Sequence, residues 1–302
     1  MTIAITGGTG FVGQALIDHA RARGMVVQAL ARKPQPRRDG VEWIAGDLAD
    51  RRALVALVDG VEAVVHVAGL TTARHPADLE AANVAGTLAA IEAALAAGVP
   101  RFILVSSLSA REPGLSAYGA SKARAERLVK ASGLDWTIVR PPAVYGPRDK
   151  DMFELFRAAK WGVVPTPREG RASLIHVEDL ARLLLALLPG GEGVSHQTFE
   201  PDDGRRGGWT HYELARVIGW AVGRRAKVIG LSKRTMEWAA KADGMLRGAK
   251  AKLTPDRVGY MAHPDWVVSL GGRVPAALWR PRIETREGMK ATARWYREAG
   301  WL

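Results

Sequence analysis

Uninterrupted apolar, β-branched runs recur through the first half of the chain: TIAIT (2–6), MVVQAL (25–30), VEWIA (41–45), AVVHVA (63–68), FILVSS (102–107) and WTIVR (136–140). Short runs of this kind, apolar on both faces, read as buried strands. Between them lie alanine-rich stretches with helical periodicity: GQALIDHARARG (13–24), RRALVALVDG (51–60), ADLEAANVAGTLAAIEAALAAG (77–98) and AYGASKARAERLVKASG (117–133). Gly24, Gly98 and Gly133 each close a helix just before a strand, where a C-cap glycine belongs. Strand alternating with helix predicts parallel strands joined by right-handed crossovers, hence an α/β, Rossmann-type doubly wound parallel sheet.

Beyond about residue 145 the alternation loosens. Helices are expected near 150–161, 178–188, 210–223, 231–249 and 284–298, with PGGEGVSHQTFEPDDGRRGG (189–208) as an exposed, turn-rich segment. The predicted division is a dinucleotide-binding core at 1–150 and a smaller, mostly helical substrate-binding part at 151–302. A strand and helix near 170–188 return to the core.

Charge changes this picture unevenly. Residues 201–302 carry 20 Lys+Arg against 10 Asp+Glu, whereas residues 1–200 are nearly balanced at 23 against 21. An anionic partner or surface for the basic last third is one reading, and a generally basic proteome is the other. No zinc finger, RNA-binding signature or basic-aromatic groove points to nucleic acid. Eight of the ten tryptophans lie beyond residue 150, as packing or binding aromatics. Cysteine is absent, which excludes disulfides and thiolate metal sites. His66, His176 and His196 are too scattered for a metal motif; His176, before Glu178 and Asp179, suits the start of a helix. LARLLLALL (180–188) is too short to span a bilayer, and MTIAITGGTG lacks the pattern of a signal peptide, so a cytoplasmic protein without a transmembrane segment is expected.

Two stretches carry chemistry. TGGTGFVG (6–13) follows a strand and opens a helix, with Gly7, Gly10 and Gly13 at three-residue intervals. Glycines there permit a tight turn and close approach to a pyrophosphate, and the helix N-terminus supplies amide donors. The second strand runs into Ala31, Arg32 and Lys33, with no acid for a ribose 2′-hydroxyl. Guanidinium favours a 2′-phosphate, so NADP(H) is preferred, although Arg32 stacked on adenine would allow NAD(H). SAYGASK (116–122) sets Tyr118 and Lys122 four positions apart on one helix face. A cation beside a phenol favours the phenolate and makes tyrosine a usable acid or base.

Together with GDLAD (46–50), HVAG (66–69), NVAGT (83–87), VSSLSA, RPPAVYGP and SLIHVEDLA, these motifs resemble the extended short-chain dehydrogenase/reductase family, also called NAD-dependent epimerase/dehydratase, over residues 2–188. The resemblance implies that Gly7, Thr9, Gly10, Phe11, Val12 and Gly13 cradle the cofactor, with Arg32 and Lys33 at its ribose. It implies that Asp47 and Leu48 flank the adenine and that Val67, Ala68 and Gly69 line the cofactor. Tyr118 would be the acid/base and Lys122 its ribose-binding partner, with Ser107 orienting the substrate oxygen and Ser106 or Ser109 as alternative hydroxyls. Asn83 would support the site, while Pro141, Ala143 and Val144 would face the carboxamide. Substrate contacts would begin at Ser109, Tyr145 and Arg148. Family members often pair through two long helices, here 78–97 and 117–132, so a homodimer is open.

Three functions fit that resemblance. The first is an NADP(H)-dependent oxidoreductase acting on a small carbonyl or secondary alcohol. The second is a nucleotide-sugar epimerase, and the third a non-catalytic cofactor-binding subunit like that of respiratory complex I. Leu108-Ser109 stands where family dehydratases keep an Asp-Glu pair, and Ala31-Arg32 departs from the acid usual in epimerases, so the reductase is favoured. No metal is expected.

Overall fold

The computed structural model describes residues 1–248, 251 and 253–302. All six expected strands are present: β1 (Thr2–Thr6), β2 (Val26–Ala31), β3 (Val41–Ala45), β4 (Ala63–His66), β5 (Arg101–Val105) and β6 (Asp135–Val139). They pair in parallel in the order β6-β5-β4-β1-β2-β3, and Gln197–Phe199 adds a seventh parallel strand beside β6. The chain reverses its direction of winding between β1 and β4, so the loops after these strands form the crevice where doubly wound sheets bind ligands.

The intervening helices fall where periodicity places them, at Phe11–Ala22, Arg51–Val58, Pro76–Ala96 and Ala117–Lys130. Asp50 caps Arg51–Val58 by accepting from the amides of Arg52 and Ala53, and Ser116 caps Ala117–Lys130 through Gly119. Gly24, Gly98 and Gly133 take φ of 71°, 68° and 75°, the left-handed conformation of a helix stop. Ala90, Ile91, Ala94, Phe102, Leu104, Ala125, Val129 and Ile138 belong to one buried cluster between helices and sheet. Pro76–Ala96 has the length and mean hydropathy, 1.3, of a bilayer-crossing helix; Ala90, Ile91 and Ala94 on it belong to this cluster, while Leu88 and Leu95 are exposed.

Two compact units divide the chain. The first comprises Met1–Pro141, Leu180–Glu200 and Val274–Trp279; the second comprises Pro142–Asp179, Pro201–Arg273 and Arg280–Leu302. The division therefore falls at Pro141/Pro142 rather than at 150. The strand expected near 170–188 is Leu174–His176, which pairs with Ala143–Tyr145 inside the second unit. The segment 189–208 also differs from expectation, because it supplies the seventh strand. Phe199, Glu200 and Asp202 within it are buried.

The second unit is less purely helical than expected. Its helices are Phe153–Lys160, His211–Ala221, Lys233–Arg247, Pro255–Met261 and Thr285–Glu298, with part of Val177–Ala186. Short paired strands accompany them, Val163–Pro167 with Lys227–Leu231 among them. Residue 249, the expected end of one helix, lies outside the described residues. The core here is aromatic: Tyr296 stacks on Trp301 and meets Phe153 and Phe156 edge-on.

Candidate functional site

The β1 loop is drawn tight by its glycines. Gly7 has φ 71°, and a Cβ there would lie 2.7 Å from the Ala68 amide nitrogen; at Gly13 a Cβ would lie 2.1 Å from the Gly7 oxygen. Only hydrogen fits at either place, so the loop packs directly onto the turn after β4. Gly10 then starts the helix at Phe11 with no side-chain cap and no acid in the first turn. Thr9 and Gly10 are exposed. That leaves amide donors and the positive end of a helix dipole facing outward, which fits an anionic pyrophosphate.

The other residues expected at the cofactor are distributed as follows. Arg32 and Lys33 are exposed immediately beyond β2. Asp47 is exposed and accepts from the Ala49 amide at 2.9 Å, while Leu48 is half-buried against Gly86. Phe11, Val12, Val67 and Ala68 are half-buried, and Gly69 is exposed. Pro141 is buried at the end of the first unit, whereas Ala143, exposed, and Val144, half-buried, belong to the second.

A chain of side-chain bonds runs beneath this crevice. Thr6 Oγ1 lies 2.8 Å from His66 Nδ1, and His66 Nε2 lies 3.0 Å from Thr87 Oγ1. Thr87 donates its own proton to the Asn83 carbonyl at 2.6 Å. Thr87 can therefore only accept from the imidazole, which places the ring proton on Nε2 and makes Nδ1 an acceptor for Thr6. Burial, and secondarily the Lys122 charge, push the His66 pKa down to about 3 and keep the ring neutral. Asn83 accepts from the Leu70 amide at 2.7 Å and donates to the Leu70 carbonyl and to Ser121 Oγ, both at 2.9 Å. It thus ties the post-β4 turn to the helix that carries Tyr118 and Lys122.

On that helix Lys122 is buried, with Nζ donating to the Val105 carbonyl at 2.8 Å. Burial lowers its pKa to about 8, and the Glu126 carboxylate opposes the shift. Tyr118 is half-buried one turn earlier on the same face, and Ser121 donates to its carbonyl at 2.8 Å. A Cβ on Gly119 would lie 2.7 Å from the Ser109 carbonyl, so the first helical turn presses on the turn Leu108–Arg111.

The three neighbouring serines separate cleanly. Ser106 donates to buried Glu126 at 2.6 Å, inside a network in which Arg140 also bonds both Glu126 oxygens. Ser109 is buried and donates to Ser107 Oγ at 2.9 Å. Ser107, half-buried, also accepts from the Ser109 amide at 3.2 Å, so its own proton is left to donate outward. Ser107 is therefore the hydroxyl with hydrogen-bonding capacity to offer, and Ser109 orients it. The glutamate–arginine brace at Glu126, Arg140 and Glu200 was not singled out from sequence, and only the acid one turn beyond Lys122 hinted at it.

Two expected substrate contacts lie in the second unit. Tyr145 is fully enclosed, its ring edge-on to His176 and its hydroxyl donating to the Thr285 carbonyl at 3.5 Å; burial raises its pKa far above the ordinary range. This corrects the expectation at Tyr145: the phenol packs a core and presents no surface. Arg148 is exposed with φ 74°. His176 accepts from the Glu178 amide at 3.3 Å, the helix-start role its position implied. Among the described residues no cluster of three metal-ligating side chains occurs.

Comparison with known proteins adds to this geometry. A family model described as NAD(P)H-binding matches residues 7–189. The "Ceramide reductase" of Caulobacter vibrioides is 39% identical over 314 aligned positions, covering 99% of this chain and 96% of the relative. The UDP-glucose 4-epimerase of Vibrio cholerae is 26% identical, with 99% and 96% covered. Among solved structures, MoeE5 in complex with UDP-glucuronic acid and NAD matches with a TM-score of 0.76 at 24% identity, covering 99% of this chain and all of the other; that likeness speaks for the fold.

Proposed function

The chain belongs to the NAD(P)H-binding, extended short-chain dehydrogenase/reductase family of enzymes, and on that premise we propose that it is an NADP(H)-dependent reductase of a ketone on a ceramide-like long-chain lipid. The observation that carries the chemistry is Lys122, an ammonium buried on the same helix face as Tyr118 and one turn away. Bound NADPH supplies the hydride. Tyr118 Oη gives the proton to the carbonyl oxygen as the carbon is reduced to a secondary alcohol, and Lys122 keeps the phenolate it leaves behind stable. Ser107 donates to the same oxygen and fixes its position, with Ser109 holding Ser107. Asn83 positions the Tyr118 helix against the post-β4 turn.

Arg32 and Lys33, exposed where an NAD enzyme keeps an acid, support NADP(H) as the cofactor, with NAD(H) the weaker ligand. The lipid ketone is taken from the whole-length likeness to the Caulobacter reductase. A ceramide carries a secondary alcohol, which is what reduction of the matching ketone would yield. A cytoplasmic site of action follows from the cofactor, which cells regenerate there. Exposed Leu88 and Leu95, on one of the two helices through which family members pair, support a homodimer.

Purified enzyme should oxidise NADPH faster than NADH when given the ketone of a ceramide dispersed in detergent. Absence of turnover on that ketone, with turnover on unrelated carbonyls, would overturn the substrate assignment. The likeness to the Vibrio cholerae epimerase favours a second reading, hydride returned to the same sugar. Conversion of a UDP-sugar without added cofactor would establish it.

A further inference from the structure

The helix Lys233–Arg247 carries its hydrophobicity on the wrong side for a core helix. Its inner face is small: Met236 and Ala240 are buried against Val258, and Asp243 is turned that way to accept from the Leu253 amide at 2.9 Å. At 100° per residue the opposite face holds Arg234, Trp238, Lys241 and Met245. Trp238 is 72% exposed, Met245 83% and adjoining Leu246 86%. Lys241 sits between Trp238 and Met245 along the helix, with Nζ 5.2 Å from the Trp238 ring centroid. Of the helix's acids, Asp243 lies on the inner face, and exposed Glu237 stands at the edge of the outward face one turn before Lys241.

We propose that this outward face docks on an anionic lipid bilayer, with Trp238, Met245 and Leu246 entering the headgroup boundary and Arg234 and Lys241 meeting the lipid phosphates. Large apolar side chains left in water at helical spacing mark an interaction surface rather than a folding one. Cations beside exposed tryptophan and methionine on one helix face are the composition of a helix lying in a membrane interface. The occupant is a bilayer rather than an acidic protein because large apolar side chains, Trp238, Met245 and Leu246, are exposed among the cations. Those cations stand beside the apolar side chains, as they would at the depth of lipid headgroups. The excess of 20 Lys+Arg over 10 Asp+Glu in residues 201–302 gives the same region a long-range attraction to such a surface. This surface is argued from the second unit alone and stands whether or not the substrate is a lipid.

The test is co-sedimentation of the full chain with vesicles of phosphatidylcholine alone and of phosphatidylcholine mixed with phosphatidylglycerol. Binding is expected to the mixed vesicles, to weaken with salt, and to drop by about fivefold for each cation removed in Arg234→Gln and Lys241→Gln. Trp238→Ser with Met245→Ser should abolish it. All these side chains are exposed, and unchanged NADPH binding and thermal midpoint would show that the variants are folded. Failure of the unaltered protein to bind mixed vesicles overturns the proposal, and so does binding that survives Trp238→Ser with Met245→Ser. Capture of a protein partner in place of vesicles overturns it too. Vesicle binding without turnover of the lipid ketone would sink the substrate assignment and leave this surface standing.

Discussion

At the scale of single residues, the chemistry turns on which side chains can give or take a proton at the substrate. Sequence placed three serines in a row of candidates, and only the direction of their hydrogen bonds separates them. Ser106 is spent on Glu126, while Ser109 is spent on Ser107. Tyr118→Phe should cut ketone reduction by roughly a hundred- to ten-thousandfold while NADPH binding, followed by its fluorescence, is kept. Arg32→Glu should weaken NADPH relative to NADH by roughly tenfold to a hundredfold, since a bidentate cation is replaced by a like charge; unchanged preference would remove the argument for NADP(H). Lys122 also gives a signed pH effect. Its pKa of about 8 lies below the ordinary 10.5, so between these values the unfolded chain holds a proton that the folded one has released. This group's contribution to stability therefore rises with pH across that window and is smallest below it. Glu126 opposes the downward shift, so Glu126→Gln should move the alkaline limb of the rate profile to lower pH. A limb that stays in place would show that another group controls it.

At the scale of elements, strand and helix order was legible because both faces of a parallel sheet are covered, which writes unbroken apolar runs into the sequence. The glycine loop was legible for a similar reason, since only glycine can stand where a Cβ would meet backbone. Gly13→Ala should cost about 1–3 kcal/mol in denaturant unfolding and weaken the cofactor, because the added carbon collides with the Gly7 carbonyl. The strand Gln197–Phe199 was not legible: it is three residues long and embedded in turn formers, and its burial comes from pairing with β6. Spacing excludes His66 from a metal motif but does not show its role, and its contacts make it the link between Thr6 and Thr87. Held neutral with a pKa of about 3, against 6.5 unfolded, it contributes stability that is complete above 6.5 and lost as pH falls toward 3, at about 1.4 kcal/mol per pH unit. Chemical unfolding at pH 7 and pH 5 should show a smaller loss for His66→Gln than for the unaltered chain.

At the scale of the whole molecule, chain order and spatial division part company. The first unit takes back Leu180–Glu200 and Val274–Trp279 from the second half; the former begins in the helix expected to return near 178–188, while local periodicity does not encode the latter. Tyr145 shows the same limit. Its motif suggested a substrate contact, but aromatic packing with His176 and the Thr285 carbonyl encloses it. The charge asymmetry was visible from composition, yet which cations flank exposed tryptophan became visible only with the helix wheel and burial together. The central claim, that hydride passes from the cofactor to a lipid ketone with Tyr118 supplying the proton, is open to direct measurement. Mass spectrometry of the lipid after reaction with NADPH deuterated at the transferable position should find deuterium on the new carbinol carbon, and almost none with Tyr118→Phe. A reduced lipid without that label, or equal labelling by the phenylalanine variant, would contradict the account.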